Sequence, residues 1–242
     1  MKILAIDTSN HPMTVALLDD RQLLASTTLN MVRNHSIYLM PTIDELMQRV
    51  KWRPSDLERI VVAQGPGSYT GVRIAVTTAK VLAATLKIGL VGVSSLSVLA
   101  ANVPPINQAL IAPFFDARRG NVYGGVYQWK DQQLVNVQKD AHLAMTEFVE
   151  QLGKLKQPVI LVGQLTKRIN QHFDGQLPDN VTLLSAGYAI PDPQKLALLG
   201  ADQDAVTDLD AFVPHYLLLT EAEVEWKKQH PNAPHRNYVR EV

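Results

Sequence analysis

Ile3-Leu4-Ala5-Ile6-Asp7, Thr8-Ser9-Asn10-His11-Pro12 and Thr14-Val15-Ala16-Leu17-Leu18 read in succession as strand, turn and strand. The first run is short and aliphatic, which suits a buried strand, and it ends on a carboxylate; Asn10-His11-Pro12 is turn chemistry. Leu23 to Leu29, set off by Asp19-Asp20-Arg21, adds a third antiparallel strand. The same grammar returns later: Ala109 to Asp116, then Arg118-Arg119-Gly120-Asn121, then Val122 to Trp129, with Leu134 to Val137 as a further strand. Two α/β halves that each open on strand, carboxylate, turn and strand predict a duplicated fold. Asn102-Val103-Pro104-Pro105 breaks the pattern between them.

Between the hairpins, Leu39, Ile43, Leu46, Met47 and Val50 recur at helical spacing and predict a helix over 36–50. Ser36 is the expected N-cap, with Pro41 near the first turn. Ile60-Val61-Val62-Ala63 is a strand running into Gly65-Pro66-Gly67-Ser68, and a helix over 70–86 follows, closed by Gly89. Ala75, Ala79 and Ala83 form a small stripe on it beside Val72, Val76 and Leu82, and such a stripe lets a helix approach closely. A strand over 90–93 and a short helix over 95–101 complete the first half. The second half is expected to hold a helix from Thr146 (its N-cap) to Leu155, a strand over 159–162, a helix over 165–173 and a strand over 181–184. Asp192-Pro193 signals a further helix. After Tyr216 the chain reads helical, acids first and lysines last, and from His230 onward it reads as a poorly ordered tail. The expected lobes are 1–102, joined by a helix over 215–229, and 103–214, leaving 230–242 as tail.

Composition narrows the function classes. The chain has 242 residues with 23 basic and 23 acidic side chains, so no broad positive field exists to hold nucleic acid. It has no cysteine, which removes disulfides, thiolate nucleophiles and cysteine zinc sites. The apolar N-terminal run is too short for a signal peptide, and Lys87, Gly89 and Gly92 interrupt the one stretch long enough to tempt as a membrane span. A cytoplasmic protein with no membrane contact is expected.

No complete catalytic constellation emerges. Gly65-Pro66-Gly67-Ser68-Tyr69-Thr70-Gly71 could hold phosphate at a helix N-terminus, yet Val72-Arg73 stand where a phosphate loop carries Lys-Ser/Thr. The favoured reading is a sharp turn whose glycines permit close packing. Asp7-Thr8-Ser9 could hold a magnesium nucleotide or a nucleophilic hydroxyl, or simply cap the hairpin turn; no base stands near it in sequence. The seven histidines lack ligand spacing: after His35, the i+3 and i+4 positions are Tyr38 and Leu39.

Ile3 to Ser9, His35-Ser36, Gly65-Pro66-Gly67-Ser68-Tyr69-Thr70-Gly71-Val72-Arg73, Asp116-Ala117-Arg118-Arg119, and the pair Pro214-His215-Tyr216-Leu217 and Glu221-Ala222-Glu223 resemble the TsaB (YeaZ) family. The resemblance implies the two similar lobes of the actin, sugar kinase and heat-shock ATPase superfamily, each a mixed sheet with helices. It implies a part in making threonylcarbamoyladenosine at position 37 of tRNAs that read codons beginning with A. It also implies an inactive relative of TsaD: where TsaD carries an HxxxH metal site, His35 remains but Leu39 holds the second position. The superfamily's glycine after the first Asp and its double glycine at the adenosine pocket are missing too. The vestigial nucleotide site would be Asp7, Thr8, Ser9, Gly67 and Asp116. The chain would hold no tightly bound cofactor and no metal, with ATP or ADP at a shared surface as the option left open.

A scaffold is therefore expected, docking TsaD through helices 36–50 and 70–87, with TsaE joining, a homodimer forming when alone, and tRNA met only indirectly. The expected interface residues are His35, Leu39, Ile43, Met47, Val72, Ala75, Val76, Ala79, Leu82 and Ala83, and Ala79→Arg is expected to abolish TsaD binding without changing stability. The other readings are a small-molecule kinase or ATPase of the same superfamily and a peptidase acting on TsaD.

Overall fold

The computed structural model describes residues 1–30, 34–106 and 108–218. Strands β1 (Lys2–Asp7), β2 (Pro12–Asp19), β3 (Gln22–Asn30), β4 (Arg59–Ala63) and β5 (Gly89–Val93) form a five-stranded sheet in the order β3-β2-β1-β4-β5. Strands β6 (Leu110–Asp116), β7 (Asn121–Lys130), β8 (Gln133–Ala144), β9 (Val159–Val162) and β10 (Val181–Leu183) form a second, in the order β10-β9-β6-β7-β8. Read from its other edge, the second order repeats the first strand for strand. In both, the opening hairpin is antiparallel and the strands on its far side are parallel. Asp7 and Asp116 end the first strands of the two hairpins. The expected duplication is the architecture.

Helices α1 (His35–Arg49) and α2 (Tyr69–Leu86) cover one face of the first sheet. Buried there are Leu39, Ile43, Leu46 and Met47 from α1 and Val72, Ala75, Val76, Ala79 and Ala83 from α2, packed on Leu4, Ile6, Val15 and Val62. Helix α3 (Ser95–Ala100) leads into the second lobe, whose core joins α4 (Met145–Gly153) to Phe114, Val122 and Leu161. A half-buried network ties the lobes: Ser94 Oγ donates to Asp140 Oδ2 at 2.6 Å, and Tyr127 Oη donates to Asp140 Oδ1 at 2.6 Å. Burial and the adjacent Asp140 push the Tyr127 hydroxyl far above its ordinary range, so it stays a donor.

Several local expectations need correction. Helix α1 starts at His35, and its cap is Asn34 in the left-handed region (φ 74°), with no side-chain capping bond, so Ser36 is not the N-cap. Pro41 lies inside the helix, exposed; the buried apolar face outweighs its missing N–H. Helix α2 closes on Lys87 in the left-handed region, not on Gly89, which opens β5. Ser68 caps α2, its side chain accepting from Gly71 N–H. Helix α4 has no side-chain N-cap at Thr146. The helix expected over 165–173 is a series of turns; Thr166 Oγ1 accepts from Ile169 N–H at 3.2 Å as a local cap and also donates to Asp116 Oδ2. The strand expected over 134–137 runs on to Ala144, held by pairing with β7 where its own polar residues gave no signal.

The second lobe does not extend to 214. Helix α5 (Pro193–Ala201), capped by Asp192 as expected, buries Leu196 and Ala197 against Ile3, Ala16 and Val61 of the first sheet. The chain then runs along α2, where Lys80 Nζ donates to the Asp210 and Phe212 carbonyls. The helix expected over 215–229 falls almost wholly, and the tail over 230–242 entirely, outside the described residues. Among the described residues no helix is long and apolar enough to cross a membrane.

Candidate functional site

The glycine turn lies on the tip of the first hairpin. Ser68 N–H donates to the Ser9 carbonyl at 2.7 Å and Thr8 Oγ1 donates to the Gly71 carbonyl at 2.6 Å. A Cβ at Gly67 would strike the Ser9 carbonyl and one at Gly71 the Thr8 carbonyl, so both glycines serve this close approach. Protein backbone thus occupies the concave side of the turn. On its other flank, Gly65 (φ +107°) faces the His215 carbonyl, and His215 N–H donates to the Gln64 carbonyl at 2.7 Å. Tyr69 stacks on Tyr216 at 4.7 Å. The two sequence blocks that carried the family resemblance, 65–73 and 214–217, are therefore neighbours in space.

Asp7, Thr8 and Ser9 are buried. Asp7 Oδ1 accepts from Ser9 N–H at 2.7 Å, the hairpin cap anticipated from sequence, while Oδ2 has no partner. Burial pushes the Asp7 carboxyl up; the hydroxyl and N–H of Ser9 and the His35 ring pull it the other way. His35 Nε2 lies 3.2 Å from the Asn10 carbonyl, tying the start of α1 to the same hairpin. Of the vestigial-site residues, Asp7, Thr8, Ser9 and Gly67 are thus gathered, whereas Asp116 stands across the cleft between the lobes.

That cleft, of about 300 Å³, lies between the two hairpin tips, with Asn10, His11 and Pro12 on one side and Phe115, Asp116 and Thr166 on the other. Both Asp116 oxygens are engaged: Oδ1 accepts from Arg118 N–H at 2.7 Å and Oδ2 from Thr166 Oγ1 at 2.6 Å. Among the described residues no three His, Asp or Glu side chains converge as a metal cage.

The expected interface residues are corrected by burial. His35, Leu39, Ile43, Met47, Val72, Ala75, Val76, Ala79 and Ala83 are all buried in the chain's own core, and Leu82 packs against it half-buried. Apolar periodicity marks the face that leaves water, and for these helices the nearest apolar surface is their own sheet. Ala79→Arg would place a cation in that core, so the expectation of unchanged stability fails. Sequence reasoning missed the outward apolar residues: Ile37 is 63% exposed, Met40 47% and Val81 59%, with Tyr38 and Tyr69 also exposed. Of these, Met40 lines a groove of about 320 Å³ between α1 and α2, together with Arg73, Ile74, Thr77 and Thr78. The available signal was the residue left over once the inward stripe is assigned: Val81 falls opposite the stripe of α2 and Met40 on the flank of α1.

The family model described as "TsaD: tRNA N6-adenosine threonylcarbamoyltransferase" matches residues 22–226. The "tRNA threonylcarbamoyladenosine biosynthesis protein TsaB" of Bacillus subtilis is 42% identical over 93% of this chain and 98% of its own length. The protein of the same name from Buchnera aphidicola (Schizaphis graminum) is 34% identical over 70% of this chain and 81% of its own length. The solved structure "YeaZ from Pseudomonas aeruginosa" superposes with a TM-score of 0.73 at 26% identity, covering 89% of this chain and 99% of that one. The two duplicated lobes of this chain are the fold of that solved structure. With its two hairpin lobes, its packed glycine turn and a relative matched over nearly its whole length, this chain belongs to the TsaB (YeaZ) family and to the tRNA threonylcarbamoyladenosine pathway.

Proposed function

We propose that this chain is a non-catalytic scaffold subunit for threonylcarbamoyladenosine formation at position 37 of tRNA, docking the catalytic TsaD through the outward face of α1 and α2. The observation that carries the reading is the exposure of Ile37, Met40 and Val81, with Met40 lining a groove between the helices, on helices whose inner sides are spent on the core. A stable interface wants an apolar centre within a polar rim, and Ser36, Arg73 and Thr77 supply such a rim. The same face serves a homodimer when TsaD is absent, with TsaE joining the TsaD-bound form.

The lack of independent turnover is supported by what fills the nucleotide region. Thr8 and Ser9 backbone sits in the glycine turn, and both oxygens of Asp116 are held by protein donors. The chain binds no cofactor tightly by itself; ATP or ADP would sit at the surface shared with TsaD.

Capture of purified TsaD on the immobilised chain tests the docking face. Met40→Arg with Val81→Arg should weaken capture at least about tenfold, a loss of about 1.4 kcal/mol, while the melting temperature stays near the parent's because both side chains already face water. A folded double variant that captures TsaD as well as the parent overturns the assignment.

A further inference from the structure

The second hairpin's turn differs from its counterpart in charge. In the first lobe the turn after Asp7 is Thr8-Ser9-Asn10-His11; in the second, the turn after Asp116 is Ala117-Arg118-Arg119-Gly120. Arg118 (φ 71°) and Arg119 (φ 52°) both lie in the left-handed region and are exposed. That conformation is unfavourable for a residue with a Cβ, and Asn or Gly would bear it more cheaply. The fold itself does not ask for arginine there, since the matching turn manages without a cation.

A second basic loop lies alongside. Lys167 and Arg168 follow β9, are exposed, and are brought to the first pair by the 2.6 Å bond from Thr166 Oγ1 to Asp116 Oδ2. His172 packs on Gly120 and is also exposed. None of the ion pairs found among the described residues takes up any of these four cations. The acids nearest in the fold are Asp116, whose oxygens are engaged; Asp174, which caps a local turn; and Glu147 and Glu150 on α4, whose first N–H meets the Gly120 carbonyl. The four cations are therefore exposed and, among the described residues, unpaired on two adjoining loops, beside as many carboxylates, in a chain whose overall charge is zero.

We propose that the β6–β7 turn and the loop after β9 form a contact surface for the phosphate backbone of RNA, carried by Arg118, Arg119, Lys167 and Arg168. The choice of RNA rests on the pathway reading above; the charge pattern itself calls for a run of phosphates. This departs from the expectation that tRNA is met only indirectly. Four exposed cations spread over two loops suit successive phosphates on a strand, and their side chains point the binding toward backbone and not toward a base sequence.

The test is fluorescence anisotropy of a labelled, unmodified tRNA transcript with adenosine at position 37, titrated with the full chain over a range of salt. Arg118→Asn/Arg119→Asn keeps residues that tolerate the left-handed turn, and Lys167→Gln/Arg168→Gln neutralises the other loop. Each pair should weaken binding at least about tenfold at low salt and lower the log–log salt slope by about 1.5 to 2. Lys130→Gln and Lys156→Gln, at the opposite end of the same sheet, should change neither. ATP and tripolyphosphate should displace the transcript only as their ionic strength does. TsaD capture is measured on the same variants, and it should persist, so failure here is separable from failure of the docking face. Binding unaffected by either folded pair, an equal loss in the lysine controls, or saturable displacement by ATP would each overturn the proposal.

Discussion

Asp7 is the residue where ancestry and present chemistry diverge most visibly. It is a buried carboxylate with one oxygen accepting from Ser9 N–H and the other unpartnered, and burial raises its pKa. A carboxyl titrating higher folded than unfolded gives stability that is fully present below the ordinary carboxylate range and is lost as pH climbs through the raised value. Asp7→Asn keeps the acceptor to Ser9 and removes the buried charge. It should therefore melt above the parent at pH 7, and the gap should close as pH falls below about 4, where the parent is neutralised in both states. Melting curves at the two pH values check this; a variant that is less stable at pH 7 would show that the charged form has a partner worth keeping. The hairpin cap was legible at Asp7 because Asx chemistry is local. The packing of Gly67 and Gly71 on Ser9 and Thr8 was legible only as a need for small residues, since what they meet comes from a hairpin turn about 60 residues away.

At the scale of the element, the two helices separate what periodicity can and cannot tell. It placed α1 and α2 within a residue of their observed ends and gave the composition of their inner faces correctly. Direction was lost, because an apolar stripe records departure from water and not the identity of the surface that displaces it. Ala79, 0% exposed, sits in the middle of that inner face. Ala79→Arg should cost about 3 kcal/mol or more through overpacking and a buried, unpaired cation. The expected readout is a large fall in melting temperature or an insoluble product; a chain that melts like the parent would mean that α2 is free to turn. Capping was read less well: Asn34 and Lys87 take left-handed conformations that glycine would have announced, and α4 dispenses with a side-chain cap. The stretch over 167–172 makes turns where a helix was expected, although Thr166 accepts from the Ile169 and Asn170 N–H groups as a helix start would.

Across the whole molecule, duplication was readable because each lobe states its strand, carboxylate, turn and strand locally, and the parallel strands follow at similar intervals. The return of the chain to the first lobe was not, because α5 and the stretch behind it carry no mark of which sheet they will cover. The same return brings His215 and Tyr216 against the glycine turn and Lys80 to the Asp210 and Phe212 carbonyls, stiffening the flank of α2. Ser94, Tyr127 and Asp140 fasten the lobes to each other on the far side. A molecule braced in this way offers a fixed helical face, which suits a subunit whose contribution is a surface. Nucleoside mass spectrometry of tRNA from a bacterial strain that lacks its own TsaB and carries this chain reads that contribution directly. Threonylcarbamoyladenosine should persist with Asp7→Asn and should fall sharply with Met40→Arg/Val81→Arg at equal protein levels. Loss of the modified nucleoside in a stable Asp7→Asn strain, with the double arginine variant still supporting it, would contradict the scaffold account.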